Sequence, residues 1–247
     1  MKRSFMFICA AALLLTGCGA SADEASAQLF AMDTVMQLDA YGHQVKQAVS
    51  DAEETIQALE ARLSRTREDS LVSVLNQNGA AQDLSAAEQA LLSEALTFRD
   101  ATGGAFDITI APVMDAWGFT GDSYRVPAQD ELDALLENVN SDEIRLSGSS
   151  VTLGAGQAID LGGIAKGYTS DCVEAVFREN KIESGKISLG GNVFVLGGKP
   201  DGADWRVGIR DPQDENALAA VLTLRDAYAI TSGGYERYFT ENGNTYH

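Results

Sequence analysis

Two hydrophobic periods run along this chain, and their order sketches the fold. Residues 30–40 alternate loosely, with Met32, Thr34, Met36 and Leu38 on one face, which predicts a strand. Over 44–63 the apolar positions Val45, Val49, Ile56, Leu59 and Leu63 fall near helical spacing and predict a long amphipathic helix. A short helix or turn follows over 70–76, closed by Asn78-Gly79. Ser85 with Glu88 three residues later reads as a capping box, opening a helix that runs to Thr102 and stops at Gly103-Gly104. Residues 104–119 are apolar and rich in turns, and 130–138 predict another helix.

From residue 142 the period shortens. Strands are expected at 143–146, 151–153 and 158–161, then a helix over 164–180, then strands at 186–189, 193–196, 205–209, 219–224 and 228–231. Helices fill mainly the first half, and an antiparallel or mixed sheet fills mainly the second. That is an α+β pattern in a single domain, not a βαβ alternation. The domain is expected over 29–247, without a linker or short-period repeat, and its length suffices for a substantial core.

The N-terminus departs from both periods. Lys2 and Arg3 precede an apolar run over 5–15, too short for a finished transmembrane helix, which needs about 20 residues. Its length fits a secretory signal. Leu15-Thr16-Gly17-Cys18 then reads as a lipobox, making 1–17 a lipoprotein signal peptide, Cys18 the lipidated (palmitate-bearing) residue and 18–28 a tether. An ordinary signal peptide with a chance cysteine is the alternative. The expected location is the cell membrane, lipid-anchored and facing the extracytoplasmic side.

Charge narrows the function. The chain carries 18 Lys and Arg against 36 Asp and Glu, a net charge of −18. Losing 1–17 would remove Lys2 and Arg3 and no acid. Phosphate contacts need cations, so no nucleic-acid partner is expected. Cys9 leaves with the signal and Cys18 is the anchor, so Cys172 has no domain cysteine to pair with. His43 and His247 are too few for a histidine metal cluster.

Four segments could carry chemistry. In Asp160-Leu161-Gly162-Gly163-Ile164-Ala165-Lys166 a strand enters, two glycines turn and a helix leaves, an arrangement suited to phosphate at a helix N-terminus. A cation in a first turn opposes the macrodipole, so Lys166 calls for an anionic neighbour. The same residues read equally as a plain strand–turn–helix corner. Ala105-Phe106-Asp107 offers a ring to pack on a flat ligand and a carboxylate to accept from it, while Trp117 reads better as core. Ser188-Leu189-Gly190-Gly191-Asn192 permits close approach of a ligand or forms a hairpin corner. Thr231-Ser232-Gly233 supplies hydroxyl and backbone donors.

Taken in order, these segments resemble the FAD:protein FMN transferases, the ApbE-type flavin transferases. The resemblance runs through Met32-Asp33-Thr34, Leu63-Ser64, Asp69-Ser70, Leu75-Asn76, Ala105-Phe106-Asp107, Trp117-Gly118-Phe119, Asp160 to Tyr168, Leu189 to Asn192, Asp211-Pro212 and Thr231 to Tyr235. It implies a Mg²⁺-dependent enzyme that takes FAD as substrate and places FMN on a threonine hydroxyl of an exported acceptor protein. By carry-over, Met32, Ala105, Phe106, Asp107, Asp160 and Lys166 would contact FAD, and the Gly163 carbonyl would be one metal ligand. Two departures stand out. Thr66 replaces a ring-stacking tyrosine of many members. The chain also stops at His247, where the family continues into further metal ligands, so the C-terminal part is expected to be missing and transfer by this chain to be poor. A non-catalytic flavin- or solute-binding lipoprotein and an FAD pyrophosphatase are the rival readings.

Overall fold

The computed structural model describes residues 23–121, 123–234 and 237–247. The signal segment 1–17, Cys18, the tether as far as residue 22 and Tyr235 lie outside the described residues. The rest of the expected tether, 23–28, belongs instead to a strand. β1 (Asp23–Ala31) pairs antiparallel with β2 (Thr34–Gly42) along its whole length. Met32 (φ 48°) and Asp33 (φ 59°) form the two-residue turn between them, both left-handed without a glycine.

The helices follow the sequence pattern closely. α1 is Val45–Leu63. α2 (Leu71–Asn78) starts where the Ser70 hydroxyl accepts from Ser73 N and ends at left-handed Gly79. β3 (Ala80–Ala81) leads to α3 (Ala86–Ala101), whose Ser85–Glu88 capping box is formed in both directions. A 3₁₀ turn over Ile108–Ile110, α4 (Ala111–Trp117) and α5 (Gln129–Leu136) come next. β4 (Arg145–Ser147) and β5 (Ser150–Thr152) join β3 in a small sheet, and α6 (Gly162–Glu179) crosses the molecule.

After α6 come β6 (Ser184–Leu189), β7 (Asn192–Leu196), β8 (Trp205–Asp211), β9 (Asp214–Leu224), β10 (Ala227–Ile230), β11 (Phe239–Glu241) and β12 (Asn244–Tyr246). The main sheet has the order β1-β2-β6-β7-β10, antiparallel throughout, so strands from the two ends of the sequence interleave. Gly190 and Gly191 make the β6–β7 hairpin corner, both at positive φ, with Gly190 tight against Thr34. The expected α+β class is the class observed.

Two cores result. Met36, Leu38, Ile187, Leu189 and Phe194 from the sheet pack on Ala48, Ala52 and Ile56 of α1 and Val173 and Phe177 of α6. The second core gathers Val72 and Leu75 of α2, Leu91 and Leu92 of α3, Ile108, Val151, Ile159 and Leu161. Both long helices bridge the two, since Leu63 of α1 and Ala165 of α6 sit in the second. The last turn of α1 and the first turn of α6 therefore meet at the junction, where the main cleft opens. Among the described residues no helix is long and apolar enough to cross a membrane.

Candidate functional site

The corner at Asp160 is built differently from its sequence-based reading. Residues 158–161 form no strand. Side-chain and backbone hydrogen bonds hold them in place. The Asn76 amide donates to the Ile159 carbonyl (2.9 Å) and accepts from Ile159 N (2.7 Å), imitating a ladder partner, and Asp160 N donates to the Ile108 carbonyl (2.7 Å). Gly162 and Gly163 do not turn the chain; they are the first two residues of α6. Their lack of a side chain answers to close packing. A Cβ on Gly162 would lie 2.9 Å from Asp160 Oδ1, and one on Gly163 would lie 3.0 Å from Phe106 Cε2.

Asp160 caps that helix from one residue outside it. Its Oδ1 accepts from Gly162 N (2.6 Å), where a negative charge is favoured by the exposed N–H groups. Its Oδ2 accepts from Arg65 Nη1 (3.0 Å). Arg65 lies two residues beyond Leu63, the last residue of α1, and Ser73 Oγ of α2 donates to its carbonyl (2.9 Å). The same guanidinium donates through Nη1 to Thr120 Oγ1 (2.9 Å) and through Nη2 to both oxygens of Asp115 (2.9 and 2.8 Å). With a side chain 13% exposed, Arg65 ties the ends of α1 and α4 to the start of α6.

These groups border a cleft of about 620 Å³, walled by Met32, Asp33, Glu60, Arg65, Asp160, Gly162 and the rings of Phe30, Phe119 and Tyr124. Glu60 of α1 accepts from Met32 N (2.9 Å) and so supports the left-handed turn at the cleft edge. Both guanidiniums of the wall are engaged, Arg65 as described and Arg237 with Asp33. A dinucleotide is a fair match in size and in its mix of ring and polar surfaces.

The sequence-derived candidates divide. Met32 and Asp160 lie in the wall. Phe106 stands behind Gly163 and edge-on to Phe98 (6.3 Å, 70°), in the second core rather than at the cleft surface. Ala105 is exposed on the preceding loop and outside the wall. Lys166 is half-buried on the next turn of α6, outside the wall and without an ion-pair partner among the described residues. Asp107 is occupied structurally. Its carboxylate accepts from Thr109 N (2.8 Å), Thr109 Oγ1 (2.6 Å), Ser141 N (3.0 Å) and Ser141 Oγ, tying two loops together. Burial pushes its carboxyl up, but these bonds outweigh burial and hold it below the ordinary value.

The expected metal ligand fares similarly. Gly163 offers one carbonyl in the first turn of α6, and no group of three or more His, Cys, Asp or Glu is placed to share a cation among the described residues. Mg²⁺ asks for a near-octahedral set of oxygens, which these residues do not make up.

Sequence reasoning missed Arg65, Tyr124 and the β11–β12 hairpin. Only the last had a local signal, Asn242-Gly243, whose two positive φ values make a tight hairpin turn. Trp117, read as core, joins Phe239 and Tyr246 of that hairpin in a half-buried ring cluster.

Comparison with known proteins places this geometry. The ApbE family model matches residues 32–247. The FAD:protein FMN transferase of Treponema pallidum is 33% identical over 224 residues, covering 83% of this chain and 62% of that protein. The protein of the same name from Vibrio cholerae is 27% identical, covering 99% of this chain and 76% of its own length. This chain thus spans less than two thirds of the Treponema protein. The crystal structure of the ApbE protein of Thermotoga maritima superposes with a TM-score of 0.85 at 28% identity, covering 91% of this chain and 75% of that one. The chain belongs to the ApbE family.

Proposed function

We propose that this chain works as an FAD:protein FMN transferase, binding FAD in the cleft at the Arg65–Asp160 corner, cleaving its pyrophosphate so that FMN passes to a threonine hydroxyl of an exported acceptor protein, and releasing AMP and the hydroxyl proton. The observation that carries the reading is the corner itself. A family-matched segment places an arginine-held carboxylate at the N-terminus of a long helix, on the wall of a cleft of dinucleotide size. In this reading Met32 and Asp160 contact the substrate directly, and Phe106 acts from behind Gly163 by fixing the first turn of α6. The phosphates would approach the Gly163 N–H at that helix terminus, since Gly162 N donates to Asp160 and Ile164 N and Ala165 N donate to the Leu161 carbonyl. Mg²⁺ dependence is part of the reading. The Gly163 carbonyl alone does not hold such an ion.

Export and membrane anchoring belong to the same proposal. Acylation at Cys18 would hold the domain on the extracytoplasmic face of the cell membrane, beside exported acceptors. Detergent phase partition of the native chain against Cys18→Ser tests this, and equal partition of the two into the aqueous phase would refute it.

The test of activity mixes the chain with FAD, an acceptor bearing the target threonine, and Mg²⁺ or a chelator. Weak flavin fluorescence on the acceptor band of a denaturing gel, lost on Thr→Ala in the acceptor, is the expected result. Free FMN without labelled acceptor would identify a pyrophosphatase instead. FAD retention with neither product would identify a non-catalytic binder.

A further inference from the structure

The cleft contains a ring-stacking surface that does not come from the segment next to Ser64. Thr66 lines the cleft but has no ring. Tyr124 also lines it, and Tyr124 is the open end of a column of aromatic side chains. Its ring lies nearly parallel to Phe239 (5.2 Å between centroids, 17°). Phe239 is nearly parallel to Tyr246 (5.2 Å, 21°), and Tyr246 leans on Trp117 (5.3 Å, 44°). Phe119 meets Tyr124 edge-on (5.5 Å, 69°), fixing the ring from the side. Trp117, Phe239 and Tyr246 are half-buried, whereas Tyr124 is 42% exposed. A ring covered by a parallel ring on one side, braced at its edge and open on the cleft side is a platform for a second flat ring.

The backbone is shaped to put it there. Gly118 has φ +82°, and a Cβ at that position would fall 2.6 Å from Ser123 C and 2.9 Å from Tyr124 Cα. Arg125 N donates to the Trp117 carbonyl (3.2 Å), closing the loop over that glycine. Only a glycine at 118 lets the 123–124 segment fold back against α4 and carry Tyr124 to the cleft.

We propose that Tyr124 is the ring-binding residue of the cleft, stacking a fused planar heteroaromatic ring of the dinucleotide on its open face. This rests on the FAD-binding reading above. The two ends of FAD share that ring chemistry, and separate titrants tell them apart.

The experiment is calorimetric titration of the whole chain, wild type, Tyr124→Leu and Tyr124→Phe, with FAD, FMN and AMP. Loss of one base–aromatic stack weakens binding by about five- to a hundredfold. Tyr124→Leu is expected to weaken FAD by that factor, together with FMN if the isoalloxazine stacks or AMP if the adenine does. Tyr124→Phe keeps the ring and is expected to bind within about twofold of wild type. Gly118→Ala, which displaces the loop, is expected to reproduce the Tyr124→Leu loss. Thermal melts of each variant separate lost stacking from lost folding. Wild-type FAD binding left unchanged in a folded Tyr124→Leu would overturn the stacking role alone. Absence of FAD binding by the wild type would overturn the function on which it rests and the stacking role with it.

Discussion

Replacing Arg65 with methionine tests whether one guanidinium organises the corner. The substitution keeps the apolar stem and removes bonds to Asp160, Asp115 and Thr120. The Asp115 side chain is 51% exposed, so its pair contributes less than about 1 kcal/mol. Asp160 is better shielded, at 20% exposure against 13% for Arg65. A hydrogen bond to a charged group in such a setting is worth about 1.5–3 kcal/mol, from which desolvation takes a share. Arg65→Met is therefore expected to destabilise by about 2–3 kcal/mol, lowering the melting temperature by roughly 4–12 °C for a chain of this length. Part of that loss is common to Asp160, so Arg65→Met and Asp160→Asn should fail to add. A double-mutant cycle by urea denaturation is expected to give a coupling of about 1–2 kcal/mol, smaller at 1 M salt. A coupling below about 0.5 kcal/mol would refute the claim that these two residues act as one unit.

Other consequences are sharper in sign than in size. Gly167 lies inside α6 with nothing within 4 Å of an added Cβ, so Gly167→Ala should stabilise by about 0.5–1 kcal/mol, read as a raised urea midpoint. Gly118→Ala, strained by φ +82° and by the Ser123 backbone, should cost more than about 2 kcal/mol in the same assay. Asp107 titrates below its ordinary 3.8, so its carboxylate adds stability above that pH and loses the contribution as pH falls through the lowered value. The stability gap between wild type and Asp107→Asn should be wide at pH 7 and narrower at pH 3; a gap unchanged between the two would contradict the sign.

Local grammar was the legible part of the sequence. The Ser85–Glu88 box, the stop at Gly79 and the long amphipathic α1 depend on neighbours within a few residues, and the structure has each. Residues 23–28 read as tether because Asp23, Glu24, Ser26 and Gln28 make them polar, and 30–40 read as one strand because the turn at Met32-Asp33 that splits it between β1 and β2 lacks the residues that advertise such turns. The pairing of β1 with β2 supplies what its composition does not. Asp160 was found from the glycines beside it, for a reason the structure replaces: those glycines clear space for Asp160 and Phe106 instead of bending the chain. Arg65 left no local trace. Its partners at 115, 120 and 160 are brought together only by the bridging of two cores, which no window of sequence displays.

Whether FAD binds at the Arg65–Asp160 corner is the central question about this site. Calorimetric titration of FAD into the chain, beside Asp160→Ala under identical buffer and salt, measures it. Saturable one-to-one binding to the wild type, weakened at least about tenfold in a folded Asp160→Ala, is the predicted result. No saturable heat with the wild type, or the same affinity in both proteins, would contradict the account.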